Sequence, residues 1–254
     1  MKVILNADDF GMTHEANAGI ERAMTKGFAS QTSVVVNTNY FDEAVEVADR
    51  LGFKDRVGLH VNLFEGTPLT GAIKRLRRYA HYDMFRYEPG VLRRYVPLDT
   101  DALGEELEAQ IQKYLSGGFS LMNIDSHHCA FYDASVLEAL IPLLAKYGFR
   151  SIRYIGNSYF DGSFVHERYG RRWIRKVDRL GLAHVTYSSS VNTFCRNKAV
   201  GNPALMEQEA VEVYVHPVLV TGHLIDNYTG GVHLEEGLAR AGLDSSQFIT
   251  SRDL

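Results

Sequence analysis

Val3-Ile4-Leu5-Asn6-Ala7-Asp8-Asp9-Phe10-Gly11 carries an apolar run straight into two adjacent carboxylates and a glycine. The apolar part reads as a buried strand, Val3–Ala7, with Asp8-Asp9 at its C-terminal end. Side chains alternate along a strand, so neighbours at its end point roughly opposite ways. Two charges there are costly to bury, which makes the pair a poor way to finish a strand for stability alone. The pair suits chemistry better, with one acid on a metal ion and the other beside it as a base.

Further strand candidates recur at Ser33–Asn37, Val57–Leu63, Leu121–Asp125, Ser151–Ile155, His184–Ser188 and Glu212–His216, with a short eighth at Gln247–Thr250. Helical patterns lie between them. Thr13 is placed to cap a helix ending near Lys26-Gly27, and Asp42 opens another before Gly52. Leu103, Leu107, Ile111 and Leu115 recur every four residues, an amphipathic helix that ends at Gly117-Gly118. Asp133 caps an apolar helix to Tyr147, with a kink expected at Pro142. Alternating strands and helices imply a largely parallel sheet. The expected fold is α/β, a distorted (β/α) barrel of seven to eight parallel strands, one domain over residues 1–254. A basic and aromatic insertion at about 71–95 breaks the rhythm. It reads either as a solvated or oligomer-contacting insertion or as a lid over the site.

Composition narrows the class. The chain has 254 residues, 45% hydrophobic and 23% charged, enough for one substantial core. No apolar run is long enough for a transmembrane helix. The start runs directly into the first strand without a leader pattern, so a cytoplasmic location is expected. The only cysteines, Cys129 and Cys195, suit free thiols in a reducing compartment. A net charge of −4 points away from a nucleic-acid partner.

Four polar clusters end four apolar strands: Asp8-Asp9, His60, Asp125-Ser126-His127-His128, and His216-Pro217. The C-terminal strand ends of a barrel are where catalytic residues sit. Imidazole and carboxylate are ligands for a catalytic divalent metal that keeps a position open for water. Asp9, His60 and His127 make a two-histidine, one-carboxylate set. Asp8 is the candidate base and His216 the candidate acid that protonates a leaving group. Asp125 is expected to orient a ligand histidine from behind, and His128 to face elsewhere in a structural role. Arg153 is a candidate to orient Asp8 or bind substrate. Phe10, Asn62 and Cys129 are placed near the pocket as weaker substrate-side candidates. His14, His81, His166, His184 and His233 read as surface or structural residues, and His223 as a weaker substrate-side candidate.

Asn6-Ala7-Asp8-Asp9-Phe10-Gly11, Gly58-Leu59-His60-Val61-Asn62-Leu63, Gly66-Thr67-Pro68-Leu69, Ile124-Asp125-Ser126-His127-His128 and Val215-His216-Pro217 together resemble the YdjC-type carbohydrate deacetylases, including the chitooligosaccharide and hopanoid-associated members. The resemblance runs over nearly the whole chain. It implies a barrel related to the polysaccharide deacetylases and metal-dependent removal of an N-acetyl group from an amino sugar. It also implies a metal on Asp9, His60 and His127, Asp8 as base, and a homodimer. Family members are often recorded with magnesium, whereas two imidazoles suit zinc or another transition metal better on ligand softness. The family commonly continues the third motif with further histidines; here Cys129-Ala130-Phe131 stand instead. Two alternatives share the same residues: a metal-dependent amidohydrolase on a non-sugar amide, and a non-catalytic sugar-binding relative.

Overall fold

The computed structural model describes residues 1–86, 97–128, 130–154 and 164–254. Cys129, the later part of the basic insertion and Ile155 lie outside the described residues. β1 (Lys2–Phe10), α1 (His14–Thr25), β2 (Gln31–Val34), α2 (Phe41–Arg50) and β3 (Val57–Val61) open the chain in strict alternation. A short helix α3 (Gly71–Lys74) and a small hairpin, β4 (Ala80–His81) with β5 (Met84–Phe85), precede α4 (Thr100–Ser116). Then come β6 (Asn123–Ser126), α5 (Ala134–Tyr147), β7 (Ser151–Ile152), α6 (Phe164–Arg179), β8 (Ser188–Ser190), α7 (Val191–Ala199), α8 (Pro203–Met206) and β9 (Ala210–Val215). An antiparallel sheet of β10 (Pro217–Val220), β11 (His223–Asp226) and β12 (Val232–His233) follows, and α9 (Leu234–Ala241) and β13 (Phe248–Ile249) close the chain.

The main sheet runs β7-β6-β3-β2-β1-β9-β8, with every described pairing parallel. β13 pairs with Val3 and Ile4 of β1, while β2 pairs with β1 from Asn6 onward. The eighth strand is therefore a wedge at the base of the sheet rather than a full stave. At the open ends, the Ile152 amide donates to the Ala183 carbonyl at 3.1 Å and the Ala183 amide to the Arg150 carbonyl at 2.8 Å. This bridge joins β7 to the segment leading into β8, so the sheet curls into a distorted barrel. It also shifts a boundary: the strand expected at His184–Ser188 is Ser188–Ser190, because Ala183 is used by β7 before the chain reaches β9.

Local chemistry explains the helices. The Thr13 hydroxyl accepts from the Ala16 amide at 3.1 Å and the Asp133 carboxylate from the Ser135 amide at 2.7 Å, satisfying first-turn donors as N-caps do. The α5 helical run continues through Pro142. Leu103, Leu107 and Ile111 of α4 are fully buried, each contributing roughly 1.5–3 kcal/mol by burial. The same helix turns two polar side chains inward. Buried Glu106 accepts from the Leu69 and Thr70 amides at 3.1 and 2.9 Å, and Gln110 accepts from the Asn62 amide at 3.1 Å. The loop after β3 is thereby pinned to α4. In the basic insertion, Tyr79 and Phe85 are buried in the core, and none of its described residues lines the cleft discussed next.

Candidate active site

A cavity of about 590 Å³ opens at the C-terminal ends of the barrel strands and is lined by Asp8, Asp9, His60, His127, Arg153 and His216, among others. Strand alternation alone would send Asp8 and Asp9 to opposite faces. The backbone breaks that alternation: Asp9 has φ 73° and the β1–β2 register shifts between Ala7 and Phe10. Left-handed backbone costs roughly 1–2 kcal/mol for an L residue. A turn holds it here, with the Met12 amide donating to the Asp9 carbonyl at 3.0 Å. Gly11 follows at φ 80°, where a Cβ would sit 2.6 Å from the Val35 carbonyl oxygen. Both carboxylates consequently face one cavity.

Asp9 Oδ1 lies 2.8 Å from His127 Nδ1 and 3.3 Å from His60 Nε2. Two donors about 2.1 Å from one ion stand roughly 3.0–3.4 Å apart at octahedral to tetrahedral angles; the His60 spacing falls in that range, and the 2.8 Å hydrogen bond between Asp9 and His127 would open by a few tenths of an ångström around an ion. His60 has its other nitrogen engaged: Nδ1 is 2.7 Å from Asp125 Oδ1 and 3.1 Å from the Ser33 hydroxyl. A carboxylate behind a ligand histidine fixes which nitrogen faces the ion. Oxygen, nitrogen and nitrogen donors converge beside open space, so Asp9, His60 and His127 fit a divalent ion.

Behind this set is a buried charge network centred on Arg153. Its guanidinium donates to both oxygens of Asp8 at 2.6 and 2.7 Å, pairs with Asp125 Oδ2 at 2.8 Å, and donates from Nε to Glu212 at 2.7 Å. Asp8, His60 and Asp125 also stand close enough to hold a cation, and Arg153 already supplies the positive charge there. Burial alone would raise the Asp8 carboxyl, but Arg153 outweighs it and holds Asp8 below the usual carboxylate range. Asp9 is likewise held well below it against burial, by hydrogen bonds from His127 and His60. Burial would lower the His60 imidazole, and Asp125 instead lifts it to about 10. Glu212 is pushed up to about 7, by burial first and by the charges of Asp125 and Asp8, with Arg153 opposing.

His216 stands across the cavity, with Nε2 3.9 Å from Asp8 Oδ2. Its ring stacks on Tyr228 at 5.2 Å and 24°. Buried Asp226 ties the two together, since its Oδ1 accepts from the His216 amide at 3.0 Å and the Tyr228 amide at 3.3 Å.

Four sequence expectations are corrected. Phe10 is fully buried and packs on Phe53 at 5.9 Å, because the turn at Asp9 restores its inward direction to the core. Asn62 is also fully buried and builds the following loop: Oδ1 accepts from the Phe64 and Glu65 amides at 3.0 and 3.2 Å, and Nδ2 donates to the Glu65 carbonyl at 2.9 Å. Neither lines the cavity. His128 differs too. A left-handed φ of 49° turns it alongside His127, into the cavity mouth. His223 lies in a separate surface groove near His233. Ser33, Glu65, Glu212 and Tyr228 were missed. Glu212 carried a signal, an acid inside an apolar strand; Ser33 carried none, since a serine on a strand is ordinary.

The description "YdjC-like protein" matches residues 2–237 as a family model. The chain belongs to the YdjC-like family. A carbohydrate deacetylase of Thermoanaerobacter pseudethanolicus is 28% identical to this family member over 99% of the chain and 95% of its own length. One of Vibrio campbellii is 27% identical over 89% and 81%. Among solved structures, a candidate cellobiose-phosphate cleavage protein from Enterococcus faecalis superposes with a TM-score of 0.70 at 18% identity, over 99% of this chain and 98% of that one. That likeness concerns the fold alone. Among the described residues, no helix is long and apolar enough to cross a membrane.

Proposed function

We propose that this chain, acting as one barrel domain, is a metal-dependent carbohydrate deacetylase that hydrolyses the N-acetyl group of an amino sugar, oligosaccharide or glycoconjugate. The observation that carries the reading is the convergence of Asp9, His60 and His127 beside Asp8 and His216 in one cavity, in a chain whose relatives are named carbohydrate deacetylases. When bound, the ion would polarise the amide carbonyl and acidify a water. Asp9, His60 and His127 are the residues to hold it, with Asp125 fixing His60.

Asp8 is the proposed base. Its carboxylate is ionised and fixed in orientation by two bonds from Arg153. The same bonds make it a weak base, so it takes a proton only from a water already acidified. Arg153 is therefore assigned to positioning, not to substrate: its charge is spent on three carboxylates. His216 Nε2 is the proposed donor to the leaving amine, a step amide cleavage needs because an amide anion is a poor leaving group. Its Nε2 stands 3.9 Å from Asp8 Oδ2, too far for direct transfer, so a proton taken at Asp8 would reach the product side through the substrate or a bridging water.

The donor set favours zinc or another transition metal over magnesium. The test is acetate release from N-acetylated amino sugars and glycosides by protein stripped with chelator and reloaded with magnesium, zinc, manganese or cobalt. Activity restored by one of these metals is expected. No acetate from any substrate with any metal overturns the reading.

A further inference from the structure

We propose a second cation site at the mouth of the cavity, built from Glu65, His127 and His128, which takes a zinc-like ion and competes with the inner set for His127. Glu65 Oε1 lies 3.7 Å from His127 Nε2 and 3.9 Å from His128 Nε2. Each of the three residues offers a ligand atom within 4.8 Å of those of the other two.

The independent observation is His127 Nε2. It is buried and has no hydrogen-bond partner, while Nδ1 of the same ring faces Asp9. An unsatisfied buried polar atom is costly, and an ion between Nε2 and Glu65 would satisfy it. Burial of the ring also leaves little freedom to turn the nitrogen to water.

The surroundings hold these donors in place. Glu65 sits on the loop fixed by Asn62, and its carbonyl also accepts from Asn37 Nδ2 at 3.0 Å. Gly66 follows at φ 74°, where a Cβ would fall 2.5 Å from the Asn37 carbonyl oxygen. His128 adopts left-handed backbone, which brings its ring centroid within 4.1 Å of that of His127. Phe64 meets the His128 ring edge-on at 5.0 Å. The Glu65 and His128 side chains are more than half exposed, 57% and 55%, so they can close the few tenths of an ångström a coordination shell needs.

Two imidazoles and one carboxylate suit zinc and its neighbours rather than magnesium or calcium. A neutral imidazole has one lone-pair nitrogen. His127 therefore serves the inner set through Nδ1 or the outer set through Nε2, and an ion in the outer set withdraws an inner ligand. The outer site is a brake that responds to excess metal.

The test is calorimetric titration of zinc into metal-free protein. The wild type should show a tight and a weaker phase. Glu65→Gln and His128→Ala should each weaken the second phase by more than about tenfold and keep the tight one, which also reports that they are folded. His60→Ala should lose the tight phase and keep a phase that adding Glu65→Gln removes. His223→Ala, which alters a surface histidine pair elsewhere, should keep both phases. A single phase in the wild type, a weaker phase that survives both Glu65→Gln and His128→Ala, or one removed by His223→Ala overturns the proposal. Loss of the inner assignment reads differently, as a tight phase indifferent to His60→Ala.

Discussion

At the floor of the cavity, Arg153, Asp8, Asp125, Glu212 and His60 are all buried, and each charge faces an opposite one. At its mouth, the side chains of Glu65 and His128 are 57% and 55% exposed, and Tyr228 is 66% exposed. Buried charges are costly unless paired, and losing one partner strands the rest. Exposed groups pay little for moving, because solvent screens and replaces their contacts. The floor is thus suited to holding one geometry, and the mouth to exchanging partners. Floor substitutions should register in folding and metal retention together, mouth substitutions in binding or rate alone.

The largest effect is expected at the hub. Arg153→Met removes one cation from among three carboxylates and should destabilise the fold by about 3–5 kcal/mol, read from urea unfolding. A loss below about 1 kcal/mol would show that the carboxylates find other compensation and would erase the contrast with the mouth. Next is Asp125→Asn, which weakens the acceptor behind His60 and should lower zinc affinity about 10- to 100-fold, measured by competition with a chelator.

Glu212 yields a pH dependence. Its folded carboxyl titrates at about 7, above the ordinary 4.5, so the folded state binds the proton more tightly than the unfolded chain. Its contribution to stability is full below about 4.5 and is lost as pH rises through about 7. Glu212→Gln should therefore flatten the fall in stability between those limits relative to wild type. Parallel stability curves for the two proteins across that window would contradict a floor in which three acids share one arginine.

The smallest folding effect belongs to the mouth. Tyr228→Ala should change stability by no more than about 0.5 kcal/mol while lowering turnover about tenfold through loss of the ring that stacks on His216. Tyr228→Phe, which keeps that ring, should restore turnover. An equal loss in both variants would assign the effect to the hydroxyl instead.

Much of the fold was legible because barrel strands are short apolar runs bounded by turns. All eight strand candidates correspond to strands of the sheet, with boundaries moved where pairing intervened, as at Ser188–Ser190. The four polar strand ends were legible because charge at the end of an apolar run is costly and stands out. Phe10 and Asn62 were misplaced because proximity in sequence to a site residue says nothing of side-chain direction once the backbone turns left-handed at Asp9. Ser33 and Tyr228 were invisible because one is an ordinary strand residue and the other belongs to a short turn after β11. Their significance comes from what they touch, His60 and His216.

By itself, the sequence determined the alternation of strands and helices and which residue types end the strands, since both follow from local apolar patterning. The different surroundings of the two neighbouring aspartates were decided by tertiary structure. Only folding brings Arg153 onto Asp8 and His60 and His127 onto Asp9. Neighbours one peptide apart acquire different electrostatic surroundings from strands as far away as β6 and β7, and no local pattern encodes that.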